Sequence, residues 1–246
     1  MKHIFFSFFL FLIINASIAQ EYKVYKAPTF REQWSKPSYY PDRVVLNFGA
    51  DPASEANVTW RTDTSISKSY AEIAIADGAP KFWRNAKTIE AKTEVLDGLK
   101  VEDAKVKANY HSVQFKNLKP DTMYGYRVGD GESWTEWIQF TTASRDDDKP
   151  FSFLYVGDAQ NYVLELWARL IREGYRKAPD AKFIIHAGDL INRAHREQDW
   201  HEWFTAGGFI HSMVPSMVTP GNHEYRNIPE IYGEDSERRL SLQWRP

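Results

Sequence analysis

The 246-residue chain carries 31 Lys and Arg against 33 Asp and Glu, a net charge of −2 with no basic block. That balance excludes electrostatic capture of nucleic acid or of an anionic membrane. Cysteine is absent, which excludes a disulfide framework, a thiol nucleophile, a Cys-ligated zinc site and a lipid anchor on Cys. With 43% hydrophobic and 26% charged residues the composition is that of a globular protein of one or two domains.

The first residues read as a secretory signal peptide. Lys2 and His3 make a basic start, Ile4 to Ile14 is an almost unbroken apolar run, and Ser17 and Ala19 are the small residues before a cut at Gln20. The run is short of the roughly 20 residues that span a bilayer. Residues 1–19 are therefore expected to be removed, giving a secreted or periplasmic protein with no membrane segment.

From Pro41 to Ala143 the chain has the period of strands. Val44–Phe48, Ala56–Trp60, Tyr70–Ile75, His111–Phe115, Met123–Val128 and Trp137–Thr141 are short apolar and β-branched runs separated by turn formers such as Gly49, Asp51-Pro52 and Asp77-Gly78. This spacing predicts an antiparallel β-sandwich. Lys81 to Lys107 is polar and charged and has no clear period. The aromatic load of 15%, with 9 Trp, suits a sandwich core, a protein-binding surface or a sugar-binding face equally.

Arg145 to Pro150 is a charged run that reads as a linker. Beyond it the period changes. Phe151–Val156 is the near-continuous apolar run of a strand buried on both faces. Val163, Leu166, Trp167, Leu170 and Ile171 then recur at helical spacing. Lys182–His186 predicts a second strand, Trp200, Trp203 and Phe204 a second helix, and Met213–Val218 a third strand. Strand–helix–strand–helix–strand implies a parallel α/β sheet with right-handed crossovers. The domains expected are residues 20–145 and 146–246.

Each of these three strands ends on polar residues. They are Gly157-Asp158, Gly188-Asp189 and Gly221-Asn222-His223-Glu224. Ligands of open α/β sheets gather beyond the carboxyl ends of the strands, so two carboxylates, an amide oxygen and an imidazole are brought to one place. Singly, Asp158 or Asp189 could merely cap a following helix; three ordered, Gly-preceded repeats favour a metal site. His186, His195, His201 and His211 read first as packing or surface residues, with lining of the pocket as the alternative for His195, which lies in the loop after the second repeat.

Gly157-Asp158-Ala159-Gln160, Gly188-Asp189-Leu190-Ile191-Asn192 and Gly221-Asn222-His223-Glu224 resemble the first three signatures of the calcineurin-like metallophosphoesterases. Leu118-Lys119-Pro120-Asp121-Thr122-Met123-Tyr124 resembles the corner of a fibronectin type III domain, in which the Tyr hydroxyl bonds a nearby backbone group. A sandwich of that kind in front of the catalytic domain makes the chain most similar to the purple acid phosphatases. The resemblance implies two metal ions, Fe, Zn or Mn. Asp158 would bind the first, Asp189 would bridge both and Asn222 would bind the second. His223 would act on the phosphoryl group as electrophile or proton donor, and Glu224 would orient His223 or Asn222 from behind.

Three features depart from that pattern. Asn192 stands where purple acid phosphatases carry the Tyr that colours their iron, leaving only an amide oxygen as a further candidate donor. Gln160 stands where many relatives carry a ligating His. After His223 the sequence has no histidine, whereas the family takes three more His ligands from V-x-x-H and G-H-x-H signatures. Each metal is left with about two protein ligands, and low turnover is expected. The leading reading is hydrolysis of a phosphate monoester. The alternatives are a phosphodiesterase or nucleotidase on the same centre, or a non-catalytic module binding glycans or a protein. Neither the substrate nor the oligomeric state follows from the sequence.

Overall fold

A computed structural model describes residues 34–101, 104–227, 233–234, 237–241 and 243–244. The expected signal peptide lies outside these residues. The first eight strands are β1 Asp42–Phe48, β2 Ala56–Thr62, β3 Tyr70–Ile75, β4 Lys87–Glu90, β5 Lys92–Val101, β6 Ala104–Phe115, β7 Met123–Gly129 and β8 Ile138–Thr141. They form two antiparallel sheets, β1-β2-β6-β5 and β4-β3-β7-β8. Alternate residues point inward, as the period of two requires. Leu46, Val58, Trp60, Val113 and Phe115 of one sheet meet Ala71, Ile73, Tyr126, Val128 and Phe140 of the other. The Tyr124 hydroxyl accepts a hydrogen bond from the Lys119 N–H at 2.8 Å, pinning the turn into β7.

The stretch without a legible period, Lys81 to Lys107, holds a short 3-10 turn at Phe82–Asn85, then β4, β5 and the start of β6. Strand β4 buries none of its four residues. A four-residue strand whose one core contact is the partly buried Ile89 carries too little alternation to be read from the sequence.

The second region is a parallel sheet of β9 Leu154–Val156, β10 Ile184–His186 and β11 Ser216–Val218, in the order β11-β10-β9. Leu154, Ile184 and Ser216 share one register row, and Tyr155, Ile185 and Met217 the next. Between β9 and β10 runs a π-helical turn, Val163–Trp167, that continues into helix α1, Ala168–Lys177. Between β10 and β11 run α2, Glu197–Gly207, and α3, Phe209–Met213. Their inner faces close a core of Trp167, Ile171, Ile184, Trp200, Trp203 and Ile210.

Two expectations are corrected. Phe151–Val156 is not buried on both faces. Phe151, Phe153 and Tyr155 are exposed, because the described helices cover only the side that carries Leu154 and Val156. The third strand does not begin at Met213, which ends α3. Pro215 bars its predecessor from helical backbone, and the strand starts at Ser216.

The two regions meet over a buried polar contact. Arg43 on β1 and Arg61 on β2 both donate to the Glu197 carboxylate at the start of α2, and Gln243 donates to its second oxygen. Nearby, the Tyr126 hydroxyl of the sandwich donates to the Ser212 carbonyl of α3 at 2.6 Å.

Candidate metal centre

The carboxyl ends of β9, β10 and β11 carry Asp158, Asp189 and Asn222 respectively, so the parallel sheet brings all three to one end. The loops are stitched to one another. Asp158 N–H donates to the Gly188 carbonyl at 3.1 Å, and Gln160 N–H donates to the Asp189 carbonyl at 3.1 Å. His223 N–H donates to Asp189 Oδ1 at 3.0 Å.

Asp158 and Asp189 both have left-handed backbone, each with φ of 52°. Left-handed non-glycine residues are uncommon, and they concentrate where function fixes the chain. Neither carboxylate caps a helix: α1 is entered through Tyr162 and α2 through Arg196. That removes the capping alternative for both residues. The glycines permit the close approach of the loops. A Cβ on Gly221 would lie 2.2 Å from Asp189 Oδ1, and one on Gly188 would lie 2.7 Å from the Gly221 nitrogen.

Glu224 is wholly buried. Its Oε2 accepts from Asp189 N–H at 3.0 Å and from Gly221 N–H at 2.6 Å. Its Oε1 accepts from Leu190 N–H at 2.7 Å and Ile191 N–H at 3.3 Å. The carboxylate is thus spent on the backbone of the two metal loops. The expectation that it orients the His223 or Asn222 side chain gives way to this: it fixes the turns that carry Asp189 and Asn222. A buried carboxylate with four donors is a strong, charge-assisted anchor.

His223 is half-buried, and its Nδ1 lies 2.7 Å from the Asn192 carbonyl. A carbonyl can only accept, so the proton is on Nδ1 and Nε2 is the atom left for chemistry. Asn192 therefore serves the site through its backbone, while its side chain is exposed. Arg238 donates to the Asn222 and Tyr225 carbonyls at 2.5 and 2.7 Å, holding the far side of the third loop.

As a donor set these residues fit part of a metal centre. Asp158, Asp189 and Asn222 are hard oxygen donors beyond adjacent strand ends, and Asp158 and Asn222 are exposed to a ligand from solvent. Sequence reasoning passed over one more oxygen: Gln160 Oε1 is buried and has no hydrogen-bond partner. Among the described residues, no group of three or more His, Asp or Glu side chains is placed to hold a metal. Four further histidines are buried. Burial pushes His186 down to about 4, and burial with Arg226 pushes His195 to about 4. Burial with Arg43 and Arg61 pushes His201 to about 3, and burial pushes His211 well below the usual range. His195 is thus a core residue, with neither ring nitrogen hydrogen-bonded.

A β-sandwich followed by a parallel sheet with acidic loops at its strand ends defines a two-part α/β protein of the metallophosphoesterase type. Residues 41–142 match the family model described as purple acid phosphatase, N-terminal domain, and residues 151–246 match calcineurin-like phosphoesterase. The chain belongs to the purple acid phosphatase-like members of the calcineurin-like phosphoesterase family. It is 25% identical over 235 residues to purple acid phosphatase 18 of Arabidopsis thaliana, covering 91% of this chain and 47% of that protein. It is 29% identical over 171 residues to acid phosphatase type 7 of Danio rerio, covering 68% of this chain and 36% of that protein. The chain thus spans less than half the length of these relatives. The solved purple acid phosphatase PPD1 from yellow lupin (Lupinus luteus) shares the fold, with a TM-score of 0.64 at 19% identity over 76% of this chain and 36% of that one.

Proposed function

We propose that this chain, divided into a sandwich domain to residue 145 and a metal domain from residue 146, acts as a secreted, metal-dependent hydrolase of phosphate monoesters. The observation that carries the proposal is the convergence of Asp158, Asp189 and Asn222 beyond three adjacent parallel strands, in loops locked by Glu224. The relatives named as acid phosphatases support it.

In this reading Asp158, Asp189 and Asn222 would hold the metal ions, Asp158 and Asp189 through carboxylates and Asn222 through its amide oxygen. Gln160 adds an oxygen beside Asp158, and Asn192 is a further amide candidate from the second loop. A metal pair bound there would supply charge neutralisation and a nucleophile at neutral pH. Iron, zinc and manganese all accept such donors. The chain's own chemistry is that of His223. With Nδ1–H committed to the Asn192 carbonyl, Nε2 holds the proton that passes to the departing alkoxide, and the same hydrogen bond steadies the imidazolium. Glu224 keeps Asp189 and the His223 loop in register through the backbone.

One observation favours a second reading, a non-catalytic binding protein. The donor set is sparse, and a relative named probable inactive purple acid phosphatase 9 (Arabidopsis thaliana) is 30% identical over 144 residues, covering 49% of this chain and 22% of that one. The test is turnover of monoester and diester substrates by the mature protein supplied with Fe, Zn or Mn. Metal-dependent monoester hydrolysis lost in Asp189→Ala supports the proposal, and a preference for the diester would move it to a phosphodiesterase. No metal-dependent hydrolysis of either ester would leave the binding role.

A further inference from the structure

A short ribbon continues the third loop. Strand β12, Tyr225–Arg226, pairs antiparallel with β13, Arg239–Leu240, and Ser241 N–H donates to the Glu224 carbonyl at 2.9 Å, extending the ladder by one pair. Arg226 stands directly opposite Arg239, and both are exposed. Like charges directly opposed across an antiparallel pair destabilise it.

The ribbon turns this pair toward the second loop. Tyr225 is extended, with φ of −106° and ψ of 137°, so Glu224 and Arg226 on either side of it share one face. Ser241 and Arg239 lie opposite them on that face. Glu224 takes the N–H groups of Asp189, Leu190 and Ile191, and Ser241 Oγ donates to the Ala194 carbonyl at 2.6 Å. Arg226 is therefore carried along the same loop, where its charge adds to burial in holding His195 down to about 4. Asn192 of this loop accepts from His223 Nδ1, and exposed Arg193 follows it. Asp199 is divided between two arginines, 3.7 Å from Arg193 Nε and 3.2 Å from Arg196. Contacts among residues 189–241 alone fix this placement.

We propose that Arg226 and Arg239, with Arg193, bind a second phosphate group of the substrate, carried on the alcohol part of the ester, while the scissile phosphoryl group lies at His223. Guanidinium forks match phosphate oxygens two at a time. A phosphate brings a charge of about −1.5 to −2 and three acceptor oxygens, enough to serve two opposed guanidiniums, whereas one carboxylate brings a single charge. The repulsion between Arg226 and Arg239 becomes attraction once that dianion lies between them. The substrate class is thus a phosphate monoester that carries a further phosphate.

That preference rests on the hydrolase reading above, whereas the anion site does not, and the two are tested apart. The probe is inorganic phosphate, titrated by NMR into residues 20–246 freed of metal on a chelating resin. Phosphate should move the imidazole signals of His195 and His223 and leave that of His111, inside the sandwich, unmoved. Arg226→Gln and Arg239→Gln should each weaken binding by about tenfold, and Arg84→Gln, an exposed control on the sandwich, should not change it. Acetate should bind about fivefold more weakly than phosphate. Arg226→Glu replaces a like-charge pair by an opposite one, so it should lose phosphate yet melt no lower than the unmodified chain. Unaltered phosphate binding in both Gln variants would overturn the proposal, as would binding that leaves His195 and His223 unmoved, or acetate bound as well as phosphate. Asp189→Ala should keep the Arg226-dependent binding. A chain that binds phosphate this way but hydrolyses no ester retains the site and loses only the hydrolase reading; one that hydrolyses esters without Arg226-dependent binding loses the site alone.

Discussion

Glu224 grips Asp189 by its backbone while Asp189 grips the residue just before Glu224, His223. The Asp189 N–H donates to Glu224 Oε2 at 3.0 Å, and Asp189 Oδ1 accepts from His223 N–H at 3.0 Å. The second and third metal loops are thereby one hydrogen-bonded unit, closed through Gly221. Glu224→Ala leaves four backbone donors without their acceptor in a fully buried position. The expected loss of stability is about 3–5 kcal/mol, measured by denaturant unfolding. Glu224→Gln keeps the shape but turns an N–H toward N–H donors, and it should fall between the two.

The contact between the two regions makes a second prediction. Glu197 is almost buried and shared by Arg43 and Arg61, with Asp42 as the further partner of Arg61. Burial alone would lower Arg61, but Asp42 and Glu197 more than offset it and hold Arg61 above its usual range. Removing one partner of a buried ion pair costs about 3–5 kcal/mol, because the other charge stays buried. Glu197→Ala should therefore destabilise the protein by that order, and Arg61→Met with Glu197→Met should recover part of it. Differential scanning calorimetry checks both.

The three strand-end loops were legible in the sequence, and the contact that joins the two regions was not. Gly-Asp, Gly-Asp and Gly-Asn-His-Glu each follow an apolar run, and strand ends in a parallel sheet collect ligands. Residue type and local period were enough to place Asp158, Asp189 and Asn222 together. Glu197 lies 136 positions from Arg61 and 154 from Arg43. Nothing local in any of the three signals the pairing, since a charged residue at a helix start ordinarily faces water. Glu224 was legible as a member of the site but not in its role, because a side chain bonded to four backbone N–H groups leaves no mark on periodicity. The open face of β9 was hidden for the opposite reason. An apolar run reads the same whether its second face is covered or bare.

Acid should destabilise the fold through its buried histidines. Burial pushes His111 and His186 down to about 4, and burial with Arg43 and Arg61 pushes His201 to about 3. In the unfolded chain each titrates near the ordinary value of about 6.5. A folded value below the unfolded one means that the unfolded chain binds more protons between the two. Stability is then unaffected above about pH 6.5 and falls as pH drops toward about 4, each histidine adding up to about 1.4 kcal/mol per pH unit. Urea unfolding at about pH 7 and about pH 5 should show this loss. His186→Met, at a site ringed by Trp167, Trp203 and His211, should flatten the dependence by one histidine's share.

Metal binding by residues 20–246 should be weak, and its limit should lie at the first loop. Asp158, Asp189 and Asn222 supply three oxygens. If Asp189 is shared, each ion receives two protein ligands, where functional sites usually have three or four. Affinity falls with each missing ligand, and two ions must be held together for efficient phosphoryl transfer. Proton donation by His223 alone contributes only about 10²–10⁴-fold, against the roughly 10²¹-fold that phosphate-monoester hydrolases reach. A chain of residues 20–246 should therefore retain less than two equivalents of metal after desalting and turn over a chromogenic phosphate ester slowly. Gln160 is the residue to change. Its backbone N–H ties the first loop to the Asp189 carbonyl and its side-chain Oε1 is buried without a partner, so Gln160→His offers an imidazole where a polar atom is already unsatisfied. That variant should bind Zn or Mn at least tenfold more tightly by isothermal titration, while Gln160→Leu should weaken binding and leave the melting temperature nearly unchanged. Asp189→Ala should abolish binding in both backgrounds. Equal affinity in the His, Leu and unmodified proteins would show that Gln160 packs the loop and takes no part in the centre. Two tightly held metals in the unmodified chain would show that donors beyond Asp158, Asp189, Asn222 and Gln160 complete it.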